Sequence, residues 1–216
     1  MLSDFEPVAL ITDGPQWIAA RKSHPANTLP ELIAWLKQHP DKGTSGVVGA
    51  VGSGRITGLY FQKATGTSFQ FVPYRGGGQL IADLIAGQID MTFTQLSGSV
   101  EQYRDGKVKA YAVMAKSRWW AAPDVPSVDE LGLKGLHMSI WHAFWVPKGT
   151  PKEIVGRLNA AVVDALEDPL VRRRLGDLGQ EIVPRERQTP EALLAHHKAE
   201  IAKWWPIVKE AGIKVE

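Results

Sequence analysis

The chain has 216 residues with 25 Lys+Arg against 23 Asp+Glu, a formal net charge of +2, and 44% hydrophobic residues. These are ordinary values for a protein that buries one large or two small cores, and so small a charge argues against a nucleic-acid partner. The absence of cysteine removes thiol catalysis, cysteine metal sites and disulfides, and no stretch approaches the ~18 consecutive apolar residues of a membrane span.

Taken in order, the apolar run from Pro7 to Thr12 predicts a buried strand, and Ile18 to Arg21 a second one. Thr28-Leu29-Pro30-Glu31 reads as a capping box with proline just inside a helix start, and Leu29, Leu32, Ile33 and Leu36 then repeat at helical spacing up to Pro40. The stretch from Thr44 to Gln95 reads as loop, helix, strand, loop, helix, strand. The turn Gly49-Ala50-Val51-Gly52-Ser53-Gly54 leads into a helix with Ile56, Leu59 and Tyr60. Phe69 to Val72 is strand-like, and Pro73-Tyr74-Arg75-Gly76-Gly77-Gly78 opens a helix with Leu80, Ile81, Leu84 and Ile85 on one face, stopped by Gly87. A strand from Ile89 to Phe93 follows.

Further on, Ser99 to Arg104 predicts a short helix and Val108 to Met114 a strand. The proline-rich passage Ala121 to Ser127 is the best candidate for a crossing between lobes, with one helical turn from Ser127 to Leu131 after it. Met138 to Val146 is an aromatic strand, and Thr150-Pro151-Lys152-Glu153 a second capping box opening a long helix. Helices follow at Pro169 to Leu178 and from Pro190 to Gly212, separated by a brief strand at Glu181 to Val183. Alternating helices and strands imply α/β layers.

Each glycine-rich turn lies at a helix start, where unpaired N–H groups and the positive end of the helix dipole suit an anion. Simple chain reversal is the competing reading of such turns. Other chemistry finds little support. The histidines lack metal-ligand spacing, with His196 and His197 falling on different sides of a helix. Ser53 is not in a Gly-x-Ser-x-Gly elbow, and no phosphate-binding Lys-Ser/Thr follows the glycines. The Gly52-x-Gly54-x-x-x-Gly58 spacing misses the dinucleotide fingerprint by one residue. No cofactor and no metal are expected. Arg172-Arg173-Arg174 reads as a solvated helix face, and Trp204 as core.

Several motifs in one order resemble the Bug (TctC-like) substrate-binding proteins of tripartite tricarboxylate transporters. They are Asp4-Phe5-Glu6-Pro7-Val8, Leu29-Pro30-Glu31-Leu32-Ile33, Val72-Pro73-Tyr74-Arg75-Gly76, Asp83 to Asp90, Gly106 to Val113, Pro123 to Val128, Trp141 and Pro147 to Pro151. The resemblance implies an α/β, two-lobed periplasmic-binding-protein-like fold (venus flytrap, type II) and a non-enzymatic receptor for a small organic acid. That acid would be a di- or tricarboxylate or an aromatic acid, held by backbone amides and hydroxyls at helix N-termini and delivered to membrane permease subunits. Carried onto matching positions, the ligand-binding residues are Gly52, Ser53, Tyr74, Gly76, Thr94, Gln95 and Trp141, with packing at the lobe junction as the alternative role of Trp141.

The sequence departs from the family at Ala50 and Ala143, where glycine is common, and at Thr94, where an aspartate is frequent; its absence favours a plain carboxylic acid. The resemblance also begins well inside a typical member. The expected division is a second lobe at residues 13–123 and a partial first lobe at 1–12 with 124–216. Exposed sheet edges would follow, and with them a homodimer. The resemblance implies the periplasm, although residues 1–7 lack the basic and apolar regions of a secretion signal. Two other readings stay open: a truncated homologue acting as an assembly protein, and an enzyme acting on a small acid within the same frame.

Overall fold

The computed structural model describes residues 4–49 and 52–210. Ala50, Val51 and Gly212 lie outside them. Contacts divide the chain into one unit of residues 4–14 with 140–206 and another of 15–139 with 207–210.

Strand β1 (Phe5–Arg21) contributes to both. The two strands expected at 7–12 and 18–21 are thus one continuous strand. Residues 12 and 13 pair with one partner strand, and 16 to 20 with another. Pro15, which has no N–H to donate, falls between the two ladders, where it disrupts neither.

The second unit is built on the sheet order β3-β2-β4-β1-β5, from β2 (Thr44–Val48), β3 (Gln70–Tyr74), β4 (Met91–Gln95) and β5 (Val108–Val113). Strands β2, β3 and β4 are mutually parallel, while β1 runs antiparallel to β4 and β5. Pro73 sits in β3 at the end of that order, an edge position that tolerates a missing donor.

Helix α1 (Leu29–Gln38) starts as expected: the Thr28 side chain accepts from the Glu31 N–H, and Glu31 reaches back to the Asn27 N–H at 2.7 Å. Helix α3 (Gly77–Ala86) buries Leu80, Ile81 and Leu84, but Ile85 is 41% exposed. Helix α2 (Ser53–Thr65) differs more. Its buried face is Gly54, Thr57, Gly58, Phe61 and Thr65, and Ile56, Leu59 and Tyr60 are only half-buried. Small residues face the sheet because the helix lies almost on its backbone: a Cβ at Gly54 would stand 2.6 Å from Phe93 O, and one at Gly58 2.5 Å from the Phe71 ring.

Helix α4 (Val100–Arg104) precedes β5. The proline-rich passage at 121–127 does not mark the boundary between units. Val113 N–H donates to Pro126 O and Val128 N–H to Val113 O, and Met138 N–H donates to Met114 O. These bonds hold 126–138 to the second unit, so the contact boundary falls at Ser139/Ile140 rather than at 123, and at Gly14/Pro15 rather than at 12. Ser127 forms a bridge with Val113, and a turn replaces the helix expected there.

In the first unit β1 pairs with β6 (Ser139–Pro147) and β7 (Glu181–Ile182). Its helices are α5 (Lys152–Glu167), α6 (Pro169–Asp177) and α7 (Pro190–Glu210). The second capping box is not formed. Pro151 occupies the cap position, and the Thr150 hydroxyl turns back to Pro147 O at 2.7 Å. Asp168 caps α6, and Arg172, Arg173 and Arg174 on that helix are exposed, as a solvated face requires. Asn159 of α5 donates to Val8 O and Gln188 O at 2.8 and 2.7 Å.

Leu10, Val183 and Leu193 form this unit's core, with Trp141, Ala143 and Trp145 packed on it. His196 and His197 do not diverge: both rings meet Trp141 edge-on, at 5.1 and 5.4 Å. Trp204 is half-buried and bonds Glu200 rather than filling the core.

Burial holds His196 and His197 below the usual imidazole value; Arg187 adds to this at His196, and Glu200 and Asp13 oppose it. The unfolded chain therefore takes up protons first, so their contribution to stability is full above about pH 6.5 and is lost as pH falls below it. Urea melts should show a lower midpoint at about pH 5.5 than at about pH 7.5. Replacing both histidines by glutamine should flatten that difference to the share left by His24, also lowered by burial.

Candidate functional site

Two loops leave the C-terminal ends of parallel strands and enter helices, the place where open α/β sheets hold their ligands. After β2 the chain turns at Gly49, whose φ of +72° suits glycine and whose N–H donates to Tyr74 O at 2.9 Å, tying one loop to the next. Gly52 caps α2. A Cβ there would lie 2.1 Å from Val48 O, so the turn closes only around a hydrogen. Ser53 follows as the first residue of α2, with an exposed side chain.

After β3, Gly76 caps α3 in an extended conformation. Neither helix start receives a side-chain cap, and neither carries an acidic residue in its first turn. Neither positive dipole end is thus neutralised by a carboxylate of its own first turn. Glycines 76, 77 and 78 have no steric need to be glycine, since a Cβ at any of them would meet nothing within 4 Å.

Tyr74 is nearly buried. Its hydroxyl donates to Asp83 Oδ2 at 2.8 Å, and burial, with that carboxylate, pushes the phenol up to about 12. Tyr74 therefore braces the loop against α3. Thr94 and Gln95 end β4, beside the first loop's strand, with Gln95 paired in register with Gln16. Six of the seven expected residues thus share the C-terminal ends of β2, β3 and β4. Trp141 belongs to the other unit, where its ring packs with the two α7 histidines.

Sequence reasoning missed Gln16. Its side chain is 1% exposed, with Nε2 donating to Ser53 Oγ at 3.1 Å and Oε1 accepting from the Thr57 hydroxyl at 2.6 Å. A polar residue between two apolar runs reads as a loop until the strand is known to be continuous.

Two open grooves elsewhere, of about 560 and 520 Å³, contain none of these residues. One is lined by Lys22, Asn27, Arg104 and Lys109, the other by Glu6, Lys152, Val155 and Leu194. Among the described residues, no cluster of three or more His, Asp or Glu side chains could hold a metal ion.

The fold is that of the periplasmic binding proteins. The periplasmic binding protein BugD superposes with a TM-score of 0.91 at 35% identity, covering 98% of this chain and 71% of that one. MatC from Rhodopseudomonas palustris, with bound malate, superposes with a TM-score of 0.90 at 35% identity over 94% of this chain and 69% of that one. A curated relative from Agrobacterium vitis, described as a UPF0065 protein in the TAR-I ttuE-ttuC' intergenic region, is 39% identical over 211 residues. That alignment takes in 98% of this chain but 61% of the relative's length. Residues 1–213 match the tripartite tricarboxylate transporter family receptor, TctC. The chain belongs to that family.

The two cap glycines should respond differently to alanine. Gly52→Ala forces a methyl onto a backbone oxygen and should cost about 2 kcal/mol or more, whereas Gly76→Ala should stay within about 0.5 kcal/mol. Urea midpoints of the two variants measure the contrast.

Proposed function

We propose that this chain is a solute receptor that binds a small organic carboxylate in the periplasm and presents it to the permease subunits of a tripartite tricarboxylate transporter. The observation that carries this reading is the pair of uncapped helix N-termini, free of first-turn acid, at the ends of three parallel strands. Such ends bind anions through backbone N–H groups at no cost in side-chain ordering. The open glycines 76–78 let a ligand approach that backbone, and the malate carried by MatC is an acid of the expected class. The chemistry is binding without turnover. Gly52, Ser53, Gly76, Thr94 and Gln95 line the carboxylate site, Tyr74 braces it, and Trp141 acts through packing.

A thermal-shift screen against malate, succinate, citrate and benzoate tests the reading. An acid at a hundredfold excess over its Kd contributes about 2.7 kcal/mol, a readily visible rise in melting temperature. Ser53→Ala should weaken binding about tenfold by removing one hydrogen bond to a charged group, and Gly76→Val should abolish it while leaving the melting temperature of the free protein in place. A flat panel from a folded sample overturns the proposal, and consumption of the acid points instead to the enzyme reading.

A second reading, self-association through the first unit, is favoured by its exposed apolar residues. Phe144 of β6 and Ile154 of α5 are 49% and 47% exposed, and Leu166 is the one fully buried residue of α5. Sedimentation should then find a dimer that Phe144→Lys converts to monomer.

A further inference from the structure

The Gln16 side chain has no role in the reading above, yet it is the buried group in contact with the Ser53 hydroxyl. Its backbone is fixed on both sides, the N–H donating to Met138 O and the carbonyl accepting from Met114 N–H, each at 2.8 Å. Its amide is fixed as well. Nε2 is 3.1 Å from Ser53 Oγ, and Oε1 is 2.6 Å from Thr57 Oγ1, a fully buried hydroxyl one turn further along α2. Thr57 Oγ1 also lies 2.8 Å from Ser53 O, so its single proton is shared between two acceptors, with Gln16 Oε1 the nearer; that places the amide oxygen at Thr57 and the NH2 at Ser53.

A hydroxyl has one proton to give and lone pairs to receive. With the amide NH2 turned toward Ser53, a lone pair of Oγ is occupied and the Ser53 proton is directed elsewhere. The exposed side of Ser53 then offers a donor. If an acceptor oxygen stood in place of that NH2, the Ser53 proton would turn inward and the exposed side would offer only lone pairs. A carboxylate has acceptors alone, so only the first arrangement serves it; a carboxamide carries donors that the second would serve.

We propose that Gln16 is the positioning residue that sets the polarity of Ser53, making it a hydrogen-bond donor and so selecting carboxylates over their amides. This rests on the carboxylate-binding reading above and names the ligand chemistry of the same site. Gln16 touches no ligand. It acts through Ser53, and its burial between β1 and α2 keeps that polarity independent of solvent.

Calorimetric titration with succinate and succinamide tests this. The wild type should prefer succinate. Gln16→Glu, near-isosteric and accepting from both hydroxyls, should lower the succinate-to-succinamide affinity ratio by about tenfold or more. Gln16→Met, of similar volume and without polarity, should lower the ratio less and leave the melting temperature near that of Gln16→Glu. In a Ser53→Ala background, Gln16→Glu should move the ratio much less than it does with Ser53 present. An equal change in both backgrounds means that Gln16 does not act through Ser53, and an unchanged ratio in Gln16→Glu means that it sets no polarity. Either result overturns the inference while leaving acid binding intact. A wild-type chain that binds no acid overturns the receptor reading itself.

Discussion

The closeness of α2 to the sheet is the constraint on which the rest of the second unit depends. At Gly52 the intervening distance is set by Val48 O, at Gly54 by Phe93 O and at Gly58 by the Phe71 ring, and none of these leaves room for a methyl group. Interior packing tolerates few voids and little overlap, so a helix seated this way cannot slide or rise without losing contact along its length. Its N-terminus is placed by the same three glycines. Phe61, at the centre of the buried face, meets Phe93 at 5.2 Å, and Phe93 stacks on Phe69 at 5.9 Å. An aromatic layer thus fills the space that the glycines leave beneath the helix.

Buried and half-buried polar groups then fix the strand register. Asp90 accepts from Arg21 Nε and from both the N–H and the hydroxyl of Thr44, each at 2.9 Å, fastening β1 and β2 to the start of β4. Trp17 donates to the buried Ser99 hydroxyl at 2.9 Å. The Lys109 ammonium is received by His24 O, Ala26 O and Asn27 Oδ1, holding the turn after β1 against β5. Leaving any of these groups without a partner would cost more than the bond itself contributes, which makes alternative registers poor competitors.

Much of this was legible in the sequence. Apolar periodicity and caps located α1 and α3, and the two glycine turns stood where parallel strands hand over to helices. What was not legible depended on contacts distant in sequence. The α2 face was misjudged because Ile56, Leu59 and Tyr60 are its larger apolar residues, while the surface it lies on rewards small ones. The strands at 7–12 and 18–21 read as separate because local signals cannot show that one strand changes partners between them. His196 and His197 were expected to diverge, yet one indole is broad enough to meet both rings. Gln16 carried no signal at all, because its significance comes from α2, some forty residues away. The carry-over of Trp141 came from resemblance alone, and its surroundings are those of a core residue.

Helices α2 and α3 both run against the parallel strands, so their positive ends share the edge that carries the two glycine loops. At the opposite edge α3 ends at Gly87, where a Cβ would lie 3.8 Å from Arg21 Cδ, and Arg21 is in turn paired with Asp90. The negative helix end therefore has a cation beside it, while the positive ends have no acid in their first turns. Although the chain's formal net charge is only +2, the pair of helices on the sheet is electrically directional along the strands. It behaves as an oriented dipole layer whose field points out of one edge, set by backbone geometry rather than by the number of charged side chains.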